Sequence, residues 1–171
     1  ADLLVGHTTW DDYAKMTRIF KYYDFSLGGA FTKTGHMAFS SYPGCLSSTD
    51  NFYLLDGGLA IVDTSLEILN PEVYDRVPDF PGNPKIPLFL HVMVCNRMAA
   101  TANHWTSLFA ERNAGTGNAQ WIVVDYNQFA PGAPLPDNTV WLVEQIPGMT
   151  RKMDISNTLR MKGYFASYNR P

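Results

Sequence analysis

The apolar positions change period several times along the chain, and each change marks an element. Leu3 to Val5 reads as the tail of a strand. Thr9 then caps a predicted helix in which Tyr13, Met16, Ile19, Phe20 and Tyr23 recur at helical spacing as far as Asp24. A glycine-containing connector, SLGGAFTKTG, leads to the strand MAFSS and to a turn at Tyr42-Pro43-Gly44. The runs NFYLL and LAIVD flank Asp56-Gly57-Gly58, whose glycines accept positive φ, so the pair predicts a tight hairpin. Asn70-Pro71-Glu72 supplies a cap, a proline at the first helical position and an acid in the first turn, which predicts a short helix.

After the proline-spaced segment DFPGNPKIP, the pattern predicts a buried helix over Leu88 to Ala100. A second follows over Asn103 to Arg112, with Trp105, Leu108 and Phe109 on one face. The last third alternates again: QWIVVDY and VWLVEQI are strands separated by the turn region FAPGAPLPDN, and Asp154 opens a helix that Gly163 closes. Strands in hairpins and helices in groups predict an α+β fold, with antiparallel sheet covered on its faces by helices.

Composition narrows the picture further. The 171 residues, 46% hydrophobic and 17% charged, suit one globular unit. A formal charge of -3 without a Lys/Arg cluster speaks against nucleic acid and anionic membrane surfaces as partners. No apolar run approaches the roughly 20 residues of a spanning helix, and LFLHVMV at Leu88 to Val94 reads as a buried element, so the chain is expected not to be transmembrane. The chain opens on Ala1 without a signal-peptide pattern, as a processed or partial product would. Cys45 and Cys95 lack CxxC spacing, and Asn-x-Ser/Thr sequons are absent.

Few residues stand out chemically. There is no G-x-S-x-G elbow and no P-loop, and GTGNAQ at Gly115 to Gln120 holds only part of a dinucleotide fingerprint. His7, His36, His91 and His104 show no paired spacing and no accompanying acidic cluster, so neither a metal nor another cofactor is expected. His7 lies in VGHTTW at a predicted strand-to-helix junction, where a lone histidine is more often structural than catalytic. The loop Asn113 to Asn118 reads either as a turn or as a source of amide donors for an oxyanion. Asp63-Thr64 ends the second hairpin strand, placed to bond backbone groups or to orient a base.

Taken in order, the blocks GHTTWDDYAKMTRIFKYYDF, FSSYPG, DNFYLLDGGLAIVDTS, CNRMAATANHWTSLFAERNAGTGNAQWIVVDY, EQIPG and YFASYNRP closely resemble the phospholipase B-like family, also called lamina ancestor proteins. The resemblance covers nearly the whole chain. It implies an αββα sandwich of antiparallel sheets between helical layers, of the N-terminal-nucleophile hydrolase type. Residues 1–171 would be the amino-terminal part of the mature catalytic domain, lacking the nucleophile-bearing first strand and the C-terminal portion.

The implied activity is deacylation of a lipid ester or amide by a cysteine that self-cleavage exposes upstream of Ala1, so this chain alone is expected to be inactive. His7, Asn113 and Asn118 are the implied catalytic residues, and Thr8, Trp10, Asp63, Thr64 and Thr116 the implied substrate-binding ones. The resemblance also implies a lysosomal or secreted protein whose partners are the substrate and the remaining segments of the same processed protein; a homodimer is compatible with it. The loop departs from the family pattern at Ala114, Gly117 and Ala119, and Asp63 stands where the family carries Glu. That thinning motivates the rival expectation of a family member without catalysis, serving a larger assembly. A carrier of fatty ligands would instead require an open apolar pocket.

Overall fold

A computed structural model describes residues 2–25, 27–76, 86–112 and 117–170. Seven strands form one antiparallel sheet in simple sequential order: β1 (Ile19–Asp24), β2 (His36–Ser41), β3 (Phe52–Leu55), β4 (Leu59–Ser65), β5 (Ala119–Asp125), β6 (Val140–Ile146) and β7 (Met149–Asp154). Three helices accompany them, α1 (Leu88–Met98), α2 (Ala102–Ala110) and α3 (Ser156–Lys162). The fold is α+β. The turn between β3 and β4 depends on Gly58, whose φ is 83°. A Cβ there would lie 2.6 Å from the Asn127 amide, which donates to the carbonyl of Gly57 at 2.7 Å.

α1 and α2 cover one face of the sheet. Val92 and Cys95 of α1 and Trp105 and Phe109 of α2 pack against Phe39, Tyr53, Ile61, Trp121 and Val123. Trp105 lies parallel to Phe109 at 5.1 Å and tilted against Trp121 at 5.5 Å, and its indole N–H donates to Asn96 Oδ1 at 2.8 Å. Fully burying each such ring contributes on the order of 2–3 kcal/mol. Thr101 caps α2 by accepting from the backbone N–H of His104.

The other face carries a smaller cluster, in which Leu3 and Val5 of the amino-terminal segment and Leu159 and Phe165 near the end pack on Ala60, Val124, Val140, Leu142 and Ile155. A largely apolar groove of about 740 Å³ remains open there. The expected covering of both faces by helices is therefore met by α1 and α2 on one side only, with α3 at the margin of the other. Among the described residues there is one sheet.

Most predicted elements appear close to their expected places, with three corrections. The helix expected from Thr9 to Asp24 is instead an irregular stretch, a single 3-10 turn over Tyr13–Lys15, and then the edge strand β1. The β-favouring run IFKYYD pairs along the whole of β2, and Tyr23 meets Phe39 edge-on at 4.8 Å, so tertiary pairing overrides the helical spacing. Leu3 to Val5 is extended but belongs to no strand of this sheet. The helix expected to open at Asp154 begins two residues later, because β7 occupies the residues before it; the Asp154 carboxylate accepts from the Ser156 N–H at 2.8 Å, and Gly163 ends α3 with φ 77°. Asn70-Pro71-Glu72 does open a short helix, of the 3-10 type over Pro71–Arg76.

Candidate functional site

The amino-terminal segment reaches the site because its apolar side chains alternate. Leu3 and Val5 dock on the open face, and Tyr126 donates from its hydroxyl to the Leu3 carbonyl at 3.2 Å, while Leu4 points outward. Two residues further on, the His7 ring arrives at the end of β4. Its Nε2 lies 2.8 Å from the Asp63 carbonyl oxygen. A carbonyl only accepts, so Nε2 carries the proton, and in the neutral ring Nδ1 is left as the basic nitrogen.

His7 is one wall of a polar cavity of about 350 Å³. Thr8, Thr9 and Trp10 continue that wall, and Asp63, Thr64 and Ser65 form the end of β4. The loop before β3 contributes Thr49, Asp50 and Asn51, and the carboxyl-terminal strap contributes Ser167 and Asn169. Asn51, in the left-handed region at φ 50°, accepts from the Asp63 N–H at 3.1 Å and so extends the β3–β4 pairing to the cavity. Asn169, also left-handed at φ 61°, donates from its amide to the Ser65 carbonyl at 2.9 Å and ties the strap across the opening. The Ser167 hydroxyl is buried with no hydrogen-bond partner among the described residues.

Two buried carboxylates differ in kind. Asp50 gathers partners: the Arg18 guanidinium at 2.7 Å, the Ser40 hydroxyl, and the Tyr42 hydroxyl at 3.2 Å. Arg18 also lies over the Tyr42 ring at 5.6 Å. On the far side of Asp50 a smaller recess of about 210 Å³ is lined by Val5, His7, Thr9, Arg18, Ser40 and Phe52, so His7 faces two spaces. Asp63 has no such cation. Burial pushes its carboxyl up to about 7, opposed by a hydrogen bond from the Asn51 side chain.

The remaining histidines and both cysteines are occupied elsewhere. His36 sits between Asp24 at 3.1 Å and Asp56 at 2.9 Å. His91 stacks on Phe109 and bonds the Leu108 carbonyl, with its pKa lowered by burial. His104 accepts from the Ala100 N–H. Burial pushes the Cys95 thiol up to about 12, and neither cysteine lines the cavity. No group of His, Cys, Asp and Glu among the described residues could hold a metal ion, and no helix among them is long and apolar enough to cross a membrane.

The structure thus brings together five of the residues singled out from the sequence: His7, Thr8, Trp10, Asp63 and Thr64. Asn118 stands apart from the cavity, its amide donating to the Tyr74 hydroxyl at 2.9 Å and its Oδ1 buried without a partner. Asn113 and Thr116 lie outside the described residues. The departure at Gly117 has a steric counterpart, since a Cβ there would fall 2.3 Å from Leu88 Cδ2. Sequence reasoning missed Arg18, Thr49, Asp50, Ser167 and Asn169 as members of the site. Ser167 and Asn169 lie in the block YFASYNRP, whose coherence was visible although no role followed from it.

A family model described as Phospholipase B matches residues 1–171. The chain is 37% identical to Phospholipase B-like protein B of Dictyostelium discoideum over 171 residues, which take in 99% of this chain and 29% of that protein. Phospholipase B-like protein C of the same organism is 36% identical over 173 residues, 99% of this chain and 30% of that protein. Phospholipase B-like protein A is 37% identical over 173 residues, 100% of this chain and 29% of that protein. The chain spans less than a third of the length of the curated relatives it matches.

Proposed function

Since the chain belongs to the phospholipase B family, we propose that it forms part of the catalytic domain of an acyl hydrolase that deacylates a lipid ester or amide in a lysosomal or secreted compartment. The observation that carries this reading is the His7 ring, held in one tautomer by the Asp63 carbonyl at the wall of a polar cavity. With Nε2–H committed to that carbonyl, Nδ1 takes a proton from a nucleophile or from the group beside it. Thr8 and Thr64 bring hydroxyls to the same cavity as donors toward an acyl oxygen, and Trp10, 95% exposed, stands at its rim as an apolar contact for the substrate.

The nucleophile in this reading is a cysteine on polypeptide outside these 171 residues, exposed by self-cleavage and seated next to His7. That strand belongs to a second sheet lying over the open face, which completes an αββα sandwich of the N-terminal-nucleophile type. Support comes from the absence of a cavity thiol among the described residues and from the apolar groove opposite α1 and α2. The family resemblance alone carries the roles of Asn113, Asn118 and Thr116 toward the acyl oxygen.

The test uses the full-length processed protein with a phosphatidylcholine and an N-acyl amine as substrates. His7→Ala is expected to lower kcat/KM by about 100-fold with the fold intact. Unchanged hydrolysis in that variant, or no terminal cysteine labelled by an acyl-trapping thiol reagent, overturns the reading.

A further inference from the structure

The proposed function uses only the backbone carbonyl of Asp63, yet Asp63 lines the cavity and its side chain has no cation beside it among the described residues. It is only 7% exposed. On β3 and the loop before it stand Asn51, Tyr53 and Asp50, the last with its charge matched by Arg18. From the amino-terminal segment comes His7, whose Nε2 is spent on the Asp63 backbone. On β5 the directly opposed residue is Trp121, and the carboxyl-terminal strap adds the neutral Ser167 and Asn169. No salt bridge forms to the Asp63 carboxyl among the described residues, and Arg18, which lines the neighbouring recess, is paired with Asp50. A carboxylate so largely removed from solvent, with no counter-charge among the described residues, favours its protonated form.

Resting on the hydrolase reading and deepening it, we propose that Asp63 serves this cavity as a neutral carboxylic acid that donates a hydrogen bond to an oxygen of a bound acyl group. A protonated carboxyl has one O–H to give and keeps acceptor capacity for Asn51. Ionised, the same group offers only lone pairs, and it repels a carboxylate while still accepting from an amide N–H. The cavity therefore binds acyl oxygens, including the carboxylate of a released acid, while Asp63 is protonated, and expels that acid when Asp63 ionises. Asp63 is a specificity-determining residue in this account, and the titration that governs it is an aspartate's.

The test measures binding of hexanoate and of hexanamide to the full-length processed protein by calorimetry, without turnover. Hexanoate is expected to bind about tenfold more tightly near pH 6 than near pH 8, as the protonated fraction of Asp63 falls, while hexanamide changes by less than about threefold. Asp63→Asn keeps a donor of the same shape and should bind hexanoate with a pH dependence of less than about twofold. His7 is present in both proteins, so the comparison isolates Asp63. A carboxyl-carbon NMR titration of Asp63 in the wild-type protein needs no variant and is expected to show the proton retained well above the ordinary aspartate range. Equal hexanoate affinity at both pH values, an unaltered pH dependence in Asp63→Asn, an ordinary aspartate titration, or no binding of either compound overturns the proposal. A protein that binds in the expected way but hydrolyses nothing sinks the hydrolase reading and leaves this one standing.

Discussion

The two faces of the sheet are built on different terms. Under α1 and α2 the core is closed by rings that touch one another, with Trp105, Phe109 and Trp121 almost wholly removed from solvent. On the opposite face, extended segments and one short helix cover a few aliphatic side chains and leave a groove of about 740 Å³ open. The cavity around His7 lies where the amino-terminal segment of the second face meets the end of β4. β4 carries Asp63 and Thr64, and the amino-terminal segment that docks on the open face supplies the facing wall.

Substitutions on the two faces separate these roles. Trp105→Ala should cost about 4 kcal/mol in denaturant unfolding of the full-length protein, because it leaves a cavity between three elements and an unpaired Asn96. Leu3→Ala, on the other face, should cost under about 1 kcal/mol; an equal loss would show that the second face is as closely packed as the first. Arg18→Ala should cost about 3 kcal/mol, since it strands the buried Asp50 with two hydroxyl partners only.

Asp63→Asn should act through pH. The folded chain keeps the Asp63 proton up to about 7, against 3.8 for an ordinary aspartate. Between those values the folded state binds more protons than the unfolded one, so stability falls as pH rises through the window and levels off above it. Replacing Asp63 by Asn should remove a decline on the order of 4 kcal/mol, read as the fall in unfolding free energy across that pH window. Gly58→Ala should cost about 1 kcal/mol, from a side chain forced to positive φ against Asn127.

The hairpin at Asp56-Gly57-Gly58, both long helices and the strands QWIVVDY and VWLVEQI were legible because each rests on local signals: turn glycines and a period of apolar residues that one buried face requires. β1 was not, because Ile19, Phe20 and Tyr23 satisfy helical and strand spacing alike, and only pairing with β2 decides between them. The site was legible in part. His7, Thr8, Trp10, Asp63 and Thr64, singled out through the family resemblance, line one cavity, whereas Asp50 looked like any loop acid until Arg18, Ser40 and Tyr42 closed around it.

By itself the sequence determined the α+β class, the antiparallel pairing of its central strands and the family, because periodicity, turn chemistry and ordered blocks are properties of neighbouring residues. The tertiary structure alone decided which chemistry each acid has. Asp50 and Asp63 are the same side chain thirteen positions apart, and what distinguishes them is an arginine thirty-two residues away from the first and the absence, among the described residues, of any such partner beside the second. Desolvation and counter-charge depend on distances through space, and those are fixed only when the chain has folded.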